Sequence, residues 1–221
     1  MQPHEQQFVL HNYFRSSSAY RVRIALGLKG LPYTYLSVHL NRDGGEQFKP
    51  AFRARNPQQL VPVLQDGDAD ISQSLAIIEY LDETHPAAPL LPSAPHARAR
   101  VRSLSLAMAC DIHPLNNLRV LKYLTGRLGA SEEGKAAWIT HWHSAGLAAL
   151  EAELARDAQR GRFCVGDAPT MADCCLVPQL FAARRFGLDL SPYPTLLAVD
   201  AACQQLTAFQ QAHPGNQPDS E

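Results

Sequence analysis

The spacing of apolar residues changes near residue 86 and divides the chain into two predicted regions. In the first region, the runs at 8–14, 33–40 and 60–74 predict strands, the last as two short strands around an Asp-Gly turn. Apolar residues recur at helical spacing in 20–30 and 74–86, and 44–57 predicts a short irregular helix. The predicted order is β-α-β-α-β-β-α. It is typical of a thioredoxin-like α/β unit, although a fragment of another α/β fold would show the same order.

A proline-rich connector, PAAPLLPSAP at 86–95, separates the two regions. We therefore predict an N-terminal domain over 1–88 and a C-terminal domain over 89–221. The second domain is rich in Ala and Leu and predicts helices only, at about 97–125, 132–157, 170–187 and 194–212. Thr170 and Asp173 have the spacing of a capping box at the start of the third of these helices. The tail HPGNQPDSE is expected to be frayed.

Composition and charge argue against several classes of partner. The chain has 221 residues and a formal net charge of -1, from 20 Lys and Arg against 21 Asp and Glu. It therefore has no overall field to attract nucleic acid or an anionic membrane. No apolar run approaches the roughly 18 residues that span a bilayer, and MQPHEQQ is neither a basic nor an apolar leader. We expect a cytoplasmic protein whose partners are small molecules.

The cysteines and histidines predict no metal site. The five cysteines lack CxxC or other paired ligand spacing, and reduced thiols in the core are the simplest interpretation. His141 and His143 are two positions apart, so on a helix they point to different faces and are expected at the surface.

Three serines follow the first predicted strand in YFRSSSAYRVRIAL. The N-terminus of a helix favours an anion, and hydroxyl groups add donors there, so Ser16, Ser17 and Ser18 could bind a thiolate. A free thiol with a pKa of about 8.5 is only a few per cent ionised at neutral pH, and such donors would raise that fraction. An ordinary serine cap explains the same residues equally well.

Two further segments are suited to a peptide-like ligand. In NPQQLVPVL, a cis Val61–Pro62 bond would turn the valine amide and carbonyl outward, although an edge-strand proline is the simpler alternative. In SQSLAIIEYL, Gln73 and Ser74 stand at a helix N-terminus that could hold a carboxylate. Three such places in one α/β unit match a small, multiply ionised peptide.

These strings, together with CDIHPLNNLRVLKYL, GDAPTMADCCLVPQL, ARRFGLDLSPYP and HPGNQPDS, resemble the zeta-class glutathione transferases nearly end to end. The resemblance implies a thioredoxin-like glutathione-binding domain followed by an all-helical domain, glutathione as the cofactor, and a homodimer. It also implies cis-trans isomerisation of maleylacetoacetate in tyrosine and phenylalanine breakdown. Maleylpyruvate is the alternative substrate, and conjugation of haloacids or a non-catalytic interaction module are the alternative functions.

The resemblance also implies roles for particular residues. Ser16 is the implied hydroxyl donor to the thiolate, with Ser17 and Ser18 beside it. The other implied glutathione contacts are Gln47, Val61, Gln73 and Ser74, and the positions implied to face cofactor and substrate are His113, Asn117 and Arg119. Arg15 and Arg185 are the implied substrate-carboxylate ligands, and His113 is a third catalytic candidate. The chain departs from the common pattern at Ser18, Ala19 and Leu60, where cysteine, serine and glutamine are frequent.

Overall fold

A four-stranded sheet forms the centre of the first part of the chain. The computed structural model describes residues 7–158 and 160–221. The strands are β1 (Phe8–Asn12), β2 (Tyr33–Ser37), β3 (Val63–Asp66) and β4 (Ala69–Ser72), in the sheet order β2-β1-β3-β4. β1 and β2 are parallel, whereas β3 is antiparallel to both β1 and β4. The edges of the sheet are therefore β2 and β4.

Three helices complete the predicted order. They are α1 (Ser17–Leu28), α2 (Pro50–Arg55) and α3 (Ser74–Thr84). The prediction of a β-α-β-α-β-β-α unit is confirmed, and the fold of this part is thioredoxin-like. α1 is enclosed on almost every side, because all its residues from Ala19 to Leu26 are buried.

The end of the chain returns to this first unit. Contacts divide the chain into one unit that runs to Leu90 and includes Gln205–Glu221, and a second unit of Leu91–Gln204. α9 (Thr207–Ala212) lies along α1, where a Cβ on Gly27 would be only 3.1 Å from the Cβ of Ala208. This division differs from the predicted domains 1–88 and 89–221 in its last residues. The expectation of a frayed tail is wrong, since buried Gln217 donates to the Gln211 carbonyl at 2.7 Å.

The second unit is helical, as predicted. Its helices are α4 (Pro95–Leu106), α5 (Leu118–Gly126), α6 (Glu132–Ala155), α7 (Met171–Arg185) and α8 (Pro194–Cys203). The capping box of α7 is present: the Thr170 amide donates to Asp173 at 2.7 Å, and the Thr170 hydroxyl accepts from the Ala172 amide. Within the described residues, no helix is both long and apolar enough to cross a membrane.

Two of the predicted helices are interrupted. The prediction of one helix over 97–125 is wrong, because α4 passes into a π-helical segment (Ala107–Ile112) and a 3₁₀ turn (His113–Asn116) before α5 begins. Pro114 has no amide to donate, so one hydrogen bond of a regular helix is missing at this position. The predicted helix over 194–212 is likewise divided into α8 and α9 by residues 204–206.

Candidate active site

Ser16 lies where the chain passes from β1 into α1. Its amide donates to the Tyr13 carbonyl at 3.0 Å, and its Oγ accepts from the Ala19 amide at 3.2 Å as the helix cap. A serine hydroxyl has one proton to donate and two lone pairs with which to accept. Capping occupies a lone pair, so the hydroxyl proton of Ser16 is still able to bind an anion. The two interpretations of the serine cluster, cap and anion donor, are therefore compatible within one side chain.

The surroundings of Ser16 favour a bound anion. Ser16, Ser17 and Ser18 are all half-buried, so each of these residues keeps part of its surface exposed at the start of α1. The first turn of α1 contains no acidic residue, so no side chain of that turn neutralises the partial positive charge of the helix N-terminus. Arg15 is exposed, and its guanidinium carbon lies 4.8 Å from the centre of the Phe14 ring. A cation therefore directly precedes the serines.

The start of α3 has an unusual backbone. Gln73 has a φ of 70°, in the left-handed region that residues other than glycine seldom adopt. Its Nε2 donates to Oε1 of Gln58 at 2.9 Å, a partner that sequence reasoning did not identify. Ser74 is buried and accepts a hydrogen bond from Nη1 of Arg21 at 3.3 Å. Both residues predicted to bind a carboxylate are thus held by side chains distant in sequence.

Val61 and Gln47 complete the predicted residues of the first unit. The Val61–Pro62 peptide bond is cis, which is one of the two alternatives that the sequence left open. The register between β1 and β3 extends only to His11 and Val63, so the backbone of Val61 lies outside that ladder. Gln47 is only 6% exposed, and its Oε1 has no hydrogen-bond partner among residues 7–158 and 160–221.

A glycine makes room for the Gln47 side chain. Gly45 has a φ of 112°, and a Cβ built there would lie 2.6 Å from Nε2 of Gln47. Another residue at position 45 would therefore displace the amide. The orphaned Oε1 is a buried acceptor, and a buried acceptor without a partner is costly. An N–H group of a peptide ligand would satisfy it.

Two buried arginines on α1 were missed by sequence reasoning. Arg21 and Arg23 are each 1% exposed. Arg21 joins α1 to Ser74, whereas Nη2 of Arg23 donates to the Phe14 carbonyl at 2.9 Å. Both arginines lie within the stretch from Ala19 to Leu26, in which every residue of α1 is buried.

In the second unit, three predicted residues lie on one short segment. His113 begins the 3₁₀ turn and is half-buried. Asn117 caps α5, because its Oδ1 accepts from the Arg119 amide at 3.1 Å, and the Arg119 side chain is exposed. Trp138 anchors the segment by donating to the Leu115 carbonyl at 2.8 Å. His113, Asn117 and Arg119 therefore lie at or directly after the interruption of the helix.

Arg185 meets the same segment at a cavity. The cavity has a volume of about 260 Å³, and its lining includes Asn116, Leu118, Lys122, Lys135, Arg185 and Phe186. Three of these side chains are cationic, which suits a carboxylate. The guanidinium of Arg185 also lies 4.2 Å from the centre of the Phe186 ring. The structure thus brings Arg185 to the neighbours of Asn117, while His113 is not among the lining residues.

The position of His143, which lies next to the cavity residue Phe186, differs from the expectation. It is 1% exposed, so its predicted surface position is wrong, although His141 is exposed as expected. Nδ1 of His143 lies 3.0 Å from Nε2 of Gln179, and its ring is 5.9 Å from that of Phe186. Burial and the charge of Arg185 lower the pKa of His143 to about 4. The side chain is therefore neutral at physiological pH.

The cysteines agree with the prediction with one exception. Cys164, Cys174, Cys175 and Cys203 are buried free thiols, but Cys110 is exposed on the π-helical segment. Within the described residues, no group of three His, Cys, Asp or Glu side chains is arranged to hold a metal ion.

Comparison with known proteins identifies the family. Residues 10–89 match the model of the glutathione S-transferase N-terminal domain, and residues 137–211 match that of the C-terminal domain. Maleylacetoacetate isomerase of Pseudomonas aeruginosa is 50% identical, covering 96% of this chain and 98% of its own length.

Two solved structures extend the comparison. The holo structure of a bacterial zeta-class maleylpyruvate isomerase has a TM-score of 0.93 and 54% identity, and covers 96% of this chain and all of its own. Maleylacetoacetate isomerase of Methylobacterium extorquens, with bound malonate and glutathione, has a TM-score of 0.93 and 43% identity over 96% of this chain and 99% of its own. The chain therefore belongs to the glutathione S-transferase family and, within it, to the zeta class.

Proposed function

We propose that the protein is a glutathione-dependent cis-trans isomerase that converts maleylacetoacetate to fumarylacetoacetate in tyrosine and phenylalanine catabolism. The observation that carries this proposal is Ser16, whose hydroxyl caps α1 with a lone pair and can still donate its proton. The relative from Pseudomonas aeruginosa bears the name of this isomerase at 50% identity.

The residues of the first unit fit glutathione. Its thiolate would accept from Ser16, with Ser17 and Ser18 adjacent, and a carboxylate would meet Gln73, Ser74 and the first amides of α3. The orphaned Oε1 of Gln47 provides an acceptor for a ligand amide. The backbone of Val61, outside the β1–β3 ladder, is available for strand-like pairing with a peptide. The solved relative from Methylobacterium extorquens contains glutathione.

When bound, glutathione supplies a thiolate that adds to the conjugated double bond and leaves after rotation about the resulting single bond. Ser16 lowers the free energy of the thiolate relative to the thiol. Lowering the pKa of the thiol by about two pH units requires roughly 2.7 kcal/mol of such stabilisation. A charge-assisted hydrogen bond together with a helix N-terminus can contribute this amount.

The substrate requires cations and donors of its own. A diketo acid has two terminal carboxylates, and negative charge develops on a substrate oxygen as the double bond is attacked. We assign carboxylate binding to Arg15 and Arg185, and stabilisation of the developing charge to His113. Asn117 and Arg119 are assigned to the same cofactor and substrate contacts. The cationic lining of the cavity beside Arg185 supports this assignment.

Maleylpyruvate is the second candidate substrate. The zeta-class maleylpyruvate isomerase is 54% identical to this chain, slightly more than the maleylacetoacetate isomerase described above. The two substrates share the conjugated acid and differ in the tail that carries the second carboxylate. The position of cationic side chains along that tail therefore decides between them.

Glutathione-dependent loss of each cis substrate tests the proposal. The purified full chain is expected to isomerise maleylacetoacetate faster than maleylpyruvate, with no glutathione consumed. A Cys110→Ser variant is the matched control, because the exposed Cys110 thiol could itself react with an electrophilic substrate. Preference for maleylpyruvate would reassign the substrate. Absence of isomerisation, with consumption of glutathione by a haloacid, would replace the isomerase by a conjugating transferase.

Homodimer formation and a cytoplasmic location stay predictions. Light scattering of the purified chain measures the first directly, since a homodimer would have twice the 24.3 kDa of one chain.

A further inference from the structure

The C-terminal tail reaches the loop that precedes Ser16. Ser37 of the edge strand β2 donates to Oδ2 of Asp219 at 2.6 Å, and the Tyr35 hydroxyl makes a short bond to Oδ1. The Phe14 amide donates to the same Oδ2 at 3.4 Å. One carboxylate therefore joins β2 to the loop between β1 and α1.

Burial and the bond to Asp219 raise the pKa of the Tyr35 phenol above its ordinary value. The phenol therefore stays protonated at neutral pH and continues to donate to the Asp219 carboxylate. The attachment of the tail to β2 does not depend on a titrating phenol under physiological conditions.

Arg23 holds the other side of the same loop. Its Nη2 donates to the Phe14 carbonyl at 2.9 Å, its Nη1 donates to Oδ1 of Asn12 at 3.0 Å, and its Nε donates to the Ala212 carbonyl at 3.1 Å. Asp219 and Arg23 thus hold the amide and the carbonyl of Phe14 respectively, two residues before Ser16. The chain between Gln205 and Glu221 supplies Asp219 itself and, through the Ala212 carbonyl, an acceptor for Arg23.

The hydrogen bonds to Phe14 can affect catalysis, because a donor such as the Ser16 hydroxyl stabilises an anion only when it is correctly placed. Functional groups must be held within about 0.5 Å of the productive geometry, and loops achieve this only through surrounding contacts. The Ser16 amide is bonded to the Tyr13 carbonyl, so displacement of residues 13 and 14 moves Ser16 with them.

We propose that Asp219 and Arg23 are positioning residues, through which the C-terminal segment holds Ser16 in place to stabilise the glutathione thiolate. The inference rests on the proposed role of Ser16. Their proposed role is indirect, through the loop that carries Ser16 and not through a contact with the thiolate. They act by keeping the two peptide groups on either side of Phe14 in one arrangement.

The pKa of the thiol of bound glutathione tests this positioning. It is measured in the full chain from the ultraviolet absorbance of the thiolate against pH. Asp219→Ala removes the carboxylate that accepts from Phe14, Tyr35 and Ser37. We expect the thiol pKa to rise by about 0.5 to 1 as a result. The value of kcat should fall roughly 3- to 10-fold, and KM for the substrate should change little. Asp219→Asn keeps an acceptor for Phe14 and Ser37, so it should stay near the unmodified chain.

The direction in which the thiol pKa changes separates a positioning role of Asp219 from a simple effect of its charge. Removing a nearby negative charge lowers the pKa of a thiol, whereas misplacing its donor raises it. An equal fall of that pKa in Asp219→Ala and Asp219→Asn, or no change in either, overturns the proposal. Should Asp219→Ala fail to fold, Tyr35→Phe removes one donor to Asp219, and a smaller rise is expected there; no rise overturns the proposal equally.

Glu221→Gln is the matched control in the same tail. Glu221 pairs with His39 at 3.0 Å and with Arg42 at 3.3 Å, and neither lies in the loop before Ser16. This variant should leave the thiol pKa unchanged, and a rise equal to that of Asp219→Ala would contradict the special role of Asp219. If the unmodified chain does not lower the thiol pKa at all, the proposed role of Ser16 itself fails, which is a different result.

Discussion

The candidate residues of the two units owe their positions to different features of the chain. In the first unit, Ser16 and Ser74 stand at helix N-termini, where hydroxyl and backbone donors are concentrated. In the second, His113 and Asn117 lie at an interruption between helices, and Arg185 lies at the end of α7. Helix N-termini present partial charges on a fixed backbone, whereas Arg185 presents a full charge on a flexible side chain.

This difference predicts different kinetic effects. A donor that acts mainly on the developing or stabilised anion should change kcat, whereas a cation that binds a carboxylate equally in substrate and transition state should change KM. Variants of the helix N-terminal serines and of the cationic side chains can therefore confirm or contradict this division between effects on kcat and effects on KM.

The largest effect is expected from Ser16→Ala. Loss of a donor aimed at an anion typically lowers turnover by about 100-fold or more, and loss of the α1 cap should lower the free energy of unfolding by about 1 kcal/mol. Steady-state kinetics and chemical denaturation measure the two effects. Ser131→Ala is the matched control, since Ser131 caps α6 through the Gly134 amide at 3.1 Å. Ser131→Ala should lower the free energy of unfolding by a similar amount and leave turnover unchanged. Full turnover in Ser16→Ala would transfer the donor role to Ser17 or Ser18.

A smaller effect, and on KM, is expected from Arg185→Ala. Loss of one charged partner to a substrate carboxylate should raise KM by about 10- to 100-fold with kcat less affected. The neighbouring Arg184 supplies the control, because its Nη2 donates to Asp200 at 2.6 Å. Arg184→Ala should lower stability by leaving the buried Asp200 without that bond, and should leave KM unchanged. A fall in kcat alone for Arg185→Ala would erase the kinetic contrast between the two groups.

The smallest effect is expected from His143, the buried histidine next to Phe186 in the second unit. The pKa of His143 is about 4 in the folded chain and about 6.5 when unfolded. Between these values the unfolded chain binds a proton that the folded chain does not, so the free energy of unfolding decreases as the pH falls. We expect about 1 to 2 kcal/mol of this loss between pH 7 and pH 5 to come from His143.

Denaturation at a series of pH values in His143→Gln measures this contribution. The variant should show a shallower decrease than the unmodified chain. His141→Gln, two residues away and exposed, should retain the original slope. Equal slopes in all three proteins would show that His143 does not couple stability to pH.

Local rules account for most of what the sequence predicted correctly. The order of the first seven elements follows from the change between strand and helix periodicity and from turn residues. The capping box at Thr170 and Asp173 is a pattern within four residues. Ser16 was found for the same reason, because a strand-to-helix junction is visible in the sequence.

Contacts between distant residues account for what was missed. Arg21 and Ser74 are 53 positions apart, Arg23 and Ala212 are 189 apart, and Phe14 and Asp219 are 205 apart. Periodicity carries no information about such pairs. The prediction of one helix over 97–125 failed for a related reason, since apolar spacing continued through a segment where Pro114 and π-helical geometry interrupt the regular hydrogen bonds.

The return of the C-terminus to the first unit imposes an order on folding during synthesis. Residues Leu91–Gln204 form a continuous stretch, so every residue of the helical unit is translated before α9. The thioredoxin-like unit is discontinuous, and its bond between Phe14 and Asp219 cannot form until Asp219 has left the ribosome. The loop that carries Ser16, although translated early, is therefore among the last parts of the protein to gain its full set of native contacts.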